Sequence, residues 1–196
     1  MAQPSLTVSL DRLSQTARNV LKMNVTDAYT KLVISGPGNA EAHAVLKALS
    51  ADSVLSQVPT NRDEAAALLS GLYLWHDCLE ESHKVSQQLH TVSGSFWHAI
   101  MHRREGDFSN SQYWYARCEN HPILPTLAAA AGDVINPFPA DTRTLKITAR
   151  GWNSDAFVDL VEEVYDKPED PRQKLAVALQ QLEWRTLFDH CMRASV

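Results

Sequence analysis

An all-α fold is expected from this chain of 196 residues, on three grounds. Apolar residues recur at spacings of three and four along most of its length. Capping residues stand where several of these stretches begin. Strict alternation of β-branched and polar residues is nearly absent. With 44% hydrophobic and 21% charged residues the chain has enough apolar mass for a sizeable core. No shift in composition divides it. Residues 1–196 are therefore expected to form a single all-α domain, a helical bundle or orthogonal array of seven to nine helices.

The elements follow in order. Residues 5–24 read as a capped amphipathic helix, with Leu6, Leu10, Leu13, Ala17, Val20 and Leu21 on one face. Residues 30–38 (Thr30-Lys31-Leu32-Val33-Ile34-Ser35-Gly36-Pro37-Gly38) are the best candidate for a strand and turn, and Asn39 can cap a helix through Leu49. That order invites a phosphate loop, but the Gly-x-Gly-x-x-Gly spacing is missing and no Gly-Lys-Ser/Thr follows, so a plain connector is the stronger expectation. Asn61 caps a helix with Asp63 and Glu64 in its first turn, expected to run through Leu79 and on toward Leu89. Gly94-Ser95 should break the chain before a helix over Phe96–Glu105. After the turn at Gly106-Asp107-Phe108-Ser109, Ser109 or Asn110 caps a helix to Cys118. An alanine-rich helix covers Thr126–Ala131, residues 133–153 read as irregular, and Ser154 or Asp155 caps a helix carrying Phe157, Leu160, Val161 and Val164. The last helix spans Pro171–Ala194.

Several function classes drop out. A formal net charge of −5, with no Lys/Arg cluster, leaves no electrostatic footprint for nucleic acid. No stretch approaches the about 18–20 apolar residues of a membrane span, so no membrane partner is expected. The N-terminal residues show no signal-peptide pattern. Cys78, Cys118 and Cys191 are scattered and odd in number, which points to buried free thiols in a reducing cytoplasm. No Gly-x-Ser-x-Gly elbow supports serine catalysis, and the catalytic residues, if any, are unassigned.

Histidine is the outlying feature. Six of the 8 histidines, His76, His83, His90, His98, His102 and His121, fall between positions 76 and 121. If one helix continues through residues 68–83, His76 and His83 lie beside the apolar stripe of Leu68, Leu72, Trp75 and Leu79, with Glu80 at its flank. His76, Glu80 and His83 then form an i, i+4, i+7 ladder. His98, His102 and Glu105 repeat the spacing on the next helix, on the side opposite Phe96, Trp97, Ile100 and Met101. Aromatic neighbours suggest that this helix is buried on both sides. Arg104 falls in the apolar arc and calls for a buried partner, with Asp77 and Asp107 the candidates. His90 and His121 are expected at the surface or in turns.

Two imidazoles one helical turn apart can share one zinc, nickel or iron ion. The expected ligand-binding residues are His76, Glu80, His83, His98, His102 and Glu105. The expected metal ligands among them are His76, His98 and His102, with a divalent metal ion as cofactor. Glu80-x-x-His83 matches half of a di-iron motif, but Glu162 and Glu163 have no His three positions on. The competing expectation is a structural hydrogen-bond network that draws in Asp77, Tyr73, Arg103 and Tyr113. Asp77, Arg103, Arg104, Asp107 and Trp114 are expected to play structural parts.

The segment Trp97 to Tyr115, with Gly106-Asp107-Phe108 between two helices, small residues at Ala99 and Ser111, and Trp114-Tyr115 before Pro122, resembles one tetratricopeptide-type hairpin. No second copy follows at the roughly 34-residue period of such arrays. A longer pattern runs Trp75-His76-Asp77, Ser82-His83, then Phe96-Trp97-His98, His102-Arg103-Arg104-Glu105-Gly106-Asp107-Phe108-Ser109-Asn110 and Tyr113-Trp114. With the tail Gln181-Leu182-Glu183-Trp184-Arg185, Leu187-Phe188-Asp189-His190-Cys191, it is similar to a family of uncharacterised helical proteins from bacteria and fungi. That resemblance covers residues of about 70–122 and 152–194. It implies an all-α fold with a concentrated site and carries over no catalytic residues. Two functions remain open: a helical protein binding a metal ion or small ligand at the histidines, or an interaction scaffold with a structural histidine network and a protein partner or a second copy of itself to bind.

Overall fold

The computed structural model describes residues 10–23, 25–139 and 141–196. It is all-α. The helices are α1 (Gln15–Lys22), α2 (Ala40–Leu46), α3 (Arg62–Trp75), α4 (Leu79–Ser86), α5 (Val92–Glu105), α6 (Phe108–Tyr115), α7 (Leu124–Ile135), α8 (Thr142–Lys146), α9 (Ser154–Val164) and α10 (Pro171–Ala194). No strand occurs among the described residues, where extended pairing is limited to isolated bridges of Leu13 with Leu55 and Ala149 with Gly151. None of these helices is long and apolar enough to cross a membrane.

Side-chain caps set most of the starts. Ser14, Asn39, Asn61, Thr91, Asp107, Asp141, Asn153 and Asp170 each accept from a backbone N–H in the first turn that follows, and only α4 and α7 lack such a cap. The expected start at Asn61 and the whole span Pro171–Ala194 are found as written. Other boundaries move. The first helix starts only at Gln15, after a 3₁₀ turn at Leu10–Arg12, and residues 5–9 of its expected span lie outside the described residues. α2 stops at Leu46 and α6 at Tyr115, short of Leu49 and Cys118. α6 is capped by Asp107 and α9 by Asn153, each ahead of the residue expected. α7 extends the alanine-rich stretch at both ends, and α8 occupies part of the segment read as irregular. Gly94 does not break the chain. It lies in the first turn of α5, where a Cβ would come within 2.4 Å of the Leu89 Cβ, so the glycine serves the close approach of the α4–α5 connection.

Two departures have one cause, the side chain and carbonyl of Arg104. The helix expected through Leu79 ends at Trp75. The Arg104 guanidinium takes the Leu74 carbonyl at 2.6 Å, and Cys78 N–H donates instead to Tyr73. Asp77 is left in a left-handed conformation (φ 62°), and its carboxylate meets Arg104 at 2.7 Å. The strand expected over 30–38 is an irregular segment because its polar backbone groups go elsewhere. Ile34 N–H donates to the Arg104 carbonyl, and the Lys31 carbonyl accepts from Arg104 and Gln180. Splitting α3 from α4 and adding α8 raises the helix count above the range expected.

One connected apolar core runs from Leu13 to Met192, and α5 lies inside it. Phe96, Trp97, Ala99, Ile100 and Met101 are buried on one side of α5, and His98, His102, Arg103 and Arg104 are buried around the rest. α3, α4 and α6 all pack on this helix. All three cysteines are buried free thiols.

Candidate functional site

Three helices bring the site together. α4 supplies His83 from its last turn, α5 supplies His98, His102 and Glu105, and α6 supplies Asn110 and Trp114. α5 ends at Gly106, whose left-handed conformation (φ 89°) lets the chain reverse at once into α6. The Ser111 hydroxyl donates to the Ala99 carbonyl at 2.8 Å, a contact that needs the small side chains at both positions.

His83, His98 and His102 each place a ring nitrogen within 4.8 Å of the other two. The His98 ring is stacked between His102 (centroids 4.7 Å, 18° between planes) and Trp114 (4.1 Å, 13°), and His83 meets both histidines edge-on. His98 and His102 are buried, while His83 is half-buried. His102 Nδ1 lies 2.5 Å from Glu105 Oε1, so Nδ1 carries the proton and donates to the carboxylate. The Asn110 amide nitrogen stands 3.1 Å from the other ring nitrogen, Nε2.

The His98 Nδ1 is buried with no hydrogen-bond partner. An orphaned buried ring nitrogen is costly and calls for an explanation. Burial, reinforced by neighbouring His102 and His83, pushes the His98 pKa down to about 4, so the ring is neutral near pH 7. Burial, again with His102 adding to it, also lowers the pKa of His83. Neutral imidazoles are the form that ligates metal. A second, more exposed group, His102 with Glu105 and Asp107, also has ligand atoms within 4.8 Å. There Asp107 Oδ1 is already engaged by Asn110 N–H and the Ser109 hydroxyl, both at 3.1 Å.

The structure separates the other expected site residues from this cluster. His76 follows the end of α3, so the ladder His76, Glu80, His83 on one continuous helix does not form. His76 is buried with Nε2–H donating to the Val20 carbonyl at 2.9 Å, and burial lowers its pKa. It takes no part in the group with His98 and His102, and His83 holds the place expected for it. Glu80 points to solvent and pairs with Lys84 at 2.7 Å. Asp77 is the partner of Arg104, whereas Asp107 caps α6. Tyr113 is exposed and pairs with Arg117, away from the histidines.

Two further polar clusters gave little sign of themselves in the sequence. Arg103 is wholly buried between Glu183 (2.6 Å), which is equally buried, and the Tyr115 hydroxyl, with the Phe157 ring 4.5 Å from its guanidinium carbon. Tyr115 donates to Glu183 at 2.7 Å. A carboxylate set between Leu182 and Trp184 in the apolar stripe of the last helix was the available signal. His121, expected at the surface, is buried. Ile123 N–H donates to His121 Nδ1, so Nε2 carries the proton and donates to Ser93, which donates to Glu64 at 2.9 Å. With serine in the middle and histidine as donor, this relay cannot deprotonate Ser93. Burial, with His190 nearby, pushes the His121 pKa down to about 4.

No family model, curated protein or solved structure matches this chain.

Proposed function

We propose that this protein binds a divalent transition-metal ion through His83, His98 and His102, with Glu105 orienting His102 from behind. The observation that carries this reading is the buried, unpartnered Nδ1 of His98 within a cluster of three converging imidazoles. The His102–Glu105 pair is the carboxylate–histidine arrangement that fixes a ligand tautomer and raises its basicity. Three nitrogen donors and no thiolate suit zinc, copper or nickel better than calcium or magnesium. A tetrahedral zinc ion with bonds of about 2.05 Å holds its nitrogens about 3.3 Å apart. Closing the cluster to that distance asks most of His83, the least buried of the three. Three protein ligands leave a fourth position for water or a small ligand, the pattern of reactive rather than purely structural zinc sites.

Elemental analysis of protein purified without a nickel column and then loaded with zinc tests the proposal. About one zinc per chain is expected, with loss in His98→Ala. A content below roughly 0.1 per chain after loading would overturn it. A purely structural role fits His76 and His121 instead, since His76 Nε2–H is held by the Val20 carbonyl and both ring nitrogens of His121 are engaged by protein groups.

A further inference from the structure

We infer that the cleft between the α6–α7 connection and the turn before α9 binds a small zwitterion of the amino acid class, its ammonium at Glu119 and Asp155 and its carboxylate at Lys146 and Arg150. The inference is independent of the histidine cluster and of any metal there. The cleft measures about 440 Å³, within the range of small-molecule sites. Charges of both signs line it, Glu119 and Asp155 with Lys146 and Arg150, and Trp152 and Leu124 add apolar wall. None of these four charged side chains has an ion-pair partner among the described residues. By contrast Arg143, also on α8, is paired with Glu163 of α9. Two acids and two bases thus line one space without meeting.

The acids are short of a cation. Burial, with the like charges of Asp159 and Glu119 beside it, raises the pKa of Asp155, and no base offsets them. An ammonium, with three N–H donors, can serve both carboxylates. Lys146 and Arg150 offer charged donors to a carboxylate in return. The walls are set in advance. Asn153 N–H donates to the Ile147 carbonyl at 2.8 Å, and its side-chain oxygen accepts from Ala156 N–H at 3.0 Å. Between these anchors Gly151 turns the chain in a left-handed conformation (φ 107°). Trp152 packs on Phe157 with ring centroids 5.2 Å apart and is only 9% exposed, yet its indole N–H has no acceptor. A buried donor left without a partner in the wall of a cleft marks a place that the protein alone leaves incomplete.

Titration of the metal-stripped full chain near neutral pH with glycine, β-alanine, γ-aminobutyrate and ε-aminocaproate, followed by nitrogen-15 spectra, tests this. Stripping matters because amino acids chelate zinc. The graded lengths read the span between the two charge pairs. One length is expected to bind best, with a dissociation constant of about 0.1–1 mM. It should move the Trp152 indole N–H resonance, which Trp152→Phe identifies. Butylamine and butyrate, each carrying one of the two charges, are expected to bind at least about tenfold more weakly. Glu119→Gln should weaken the best amino acid about tenfold and leave butyrate unchanged. Arg150→Gln should weaken it similarly and leave butylamine unchanged. Both residues are exposed, so neither change threatens the fold. Butylamine or butyrate binding as tightly as the best amino acid overturns the zwitterion. A Trp152 indole that stays still up to roughly 10 mM of every probe, or binding unchanged in both variants, overturns the site.

Discussion

Opposite sides of α5 carry buried polar groups under very different terms. On one side the Arg103 charge is met by Glu183 and Tyr115, all three fully enclosed. On the other, His98 and His102 are nearly as deep, yet His98 keeps an unpartnered nitrogen and His83 beside it is half open. The Arg103 cluster ties α5 to α6 and α10 and pairs its charge within the protein, although the Arg103 Nε–H has no hydrogen-bond partner. The histidine cluster costs the fold something, a cost that the proposed ion would recover on binding. A buried charge with its counter-charge in place therefore reads as architecture, and an unpartnered imidazole nitrogen among other imidazoles reads as a candidate site.

The hardest test of this contrast removes one half of the ion pair. Glu183→Leu leaves the Arg103 charge buried and uncompensated and is expected to destabilise the protein by about 3–5 kcal/mol in urea unfolding. Replacing both residues, Arg103→Leu with Glu183→Leu, is expected to recover much of that loss, because two desolvation penalties disappear together. If the double variant is as unstable as the single one, the cluster holds the fold by more than charge.

Acid comes next in size. His98 and His121 have folded pKa values near 4, well below the ordinary 6.5. Below pH 6.5 the unfolded chain takes up protons that the native rings refuse. The stability these neutral rings contribute is complete above 6.5 and lost progressively as pH falls toward 4, on the order of 3 kcal/mol for each ring. His98→Gln should flatten this acid dependence by roughly half. Saturating zinc should steepen it, because protons then compete with a bound ion. Chemical denaturation at half-unit steps from pH 4 to 8 reads both slopes. An unchanged profile in His98→Gln would mean that the ring titrates alike in the folded and unfolded chain, so that burial does not hold it neutral.

How far the sequence foretold all this depends on where each signal lay. Local signals were legible: Asn61 with two acids behind it started α3, Pro171 and a long apolar stripe fixed α10, and the spacing of His98, His102 and Glu105 put all three on one stripe of α5. The end of α3 was not legible, since no glycine or proline marks it. It is imposed by Arg104, 30 positions later in the chain. That single tertiary contact misplaced the third histidine, because a helical wheel drawn through residues 76–78 assumes a continuity that Arg104 abolishes. Asn110 and Trp114 reach the cluster because the chain reverses at Gly106; that turn was legible, but which side chains of the following helix it would bring against the histidines was not.

Zinc should stabilise the protein through one side of α5 alone. At a free concentration 100-fold above the dissociation constant the gain is about 2.7 kcal/mol, or roughly 5–10 °C in Tm for a chain of this size. His98→Ala is expected to abolish the shift. His76→Gln is expected to lose about 1–2 kcal/mol of stability, through its bond to the Val20 carbonyl, and to keep the full zinc shift. Loss of the zinc response in His76→Gln would return that residue to the site.

The smallest effect separates two glutamates that hold matching places in the ladders written from sequence. Glu105 touches a ring nitrogen of His102, so Glu105→Gln, which keeps the shape and removes the charge, should weaken zinc binding about tenfold or more. Glu80 sits beside His83 in sequence but in solvent in the fold, with Lys84 its only near partner of opposite charge among the described residues. Surface pairs of this kind contribute little, since water screens them and both side chains give up freedom to form them. Glu80→Ala should therefore leave zinc affinity and Tm within error of wild type. Equal losses in the two variants would mean that the cluster responds to overall negative charge and that no specific contact orients His102. A loss confined to Glu105→Gln ties affinity to the one carboxylate that can hold the His102 proton in place.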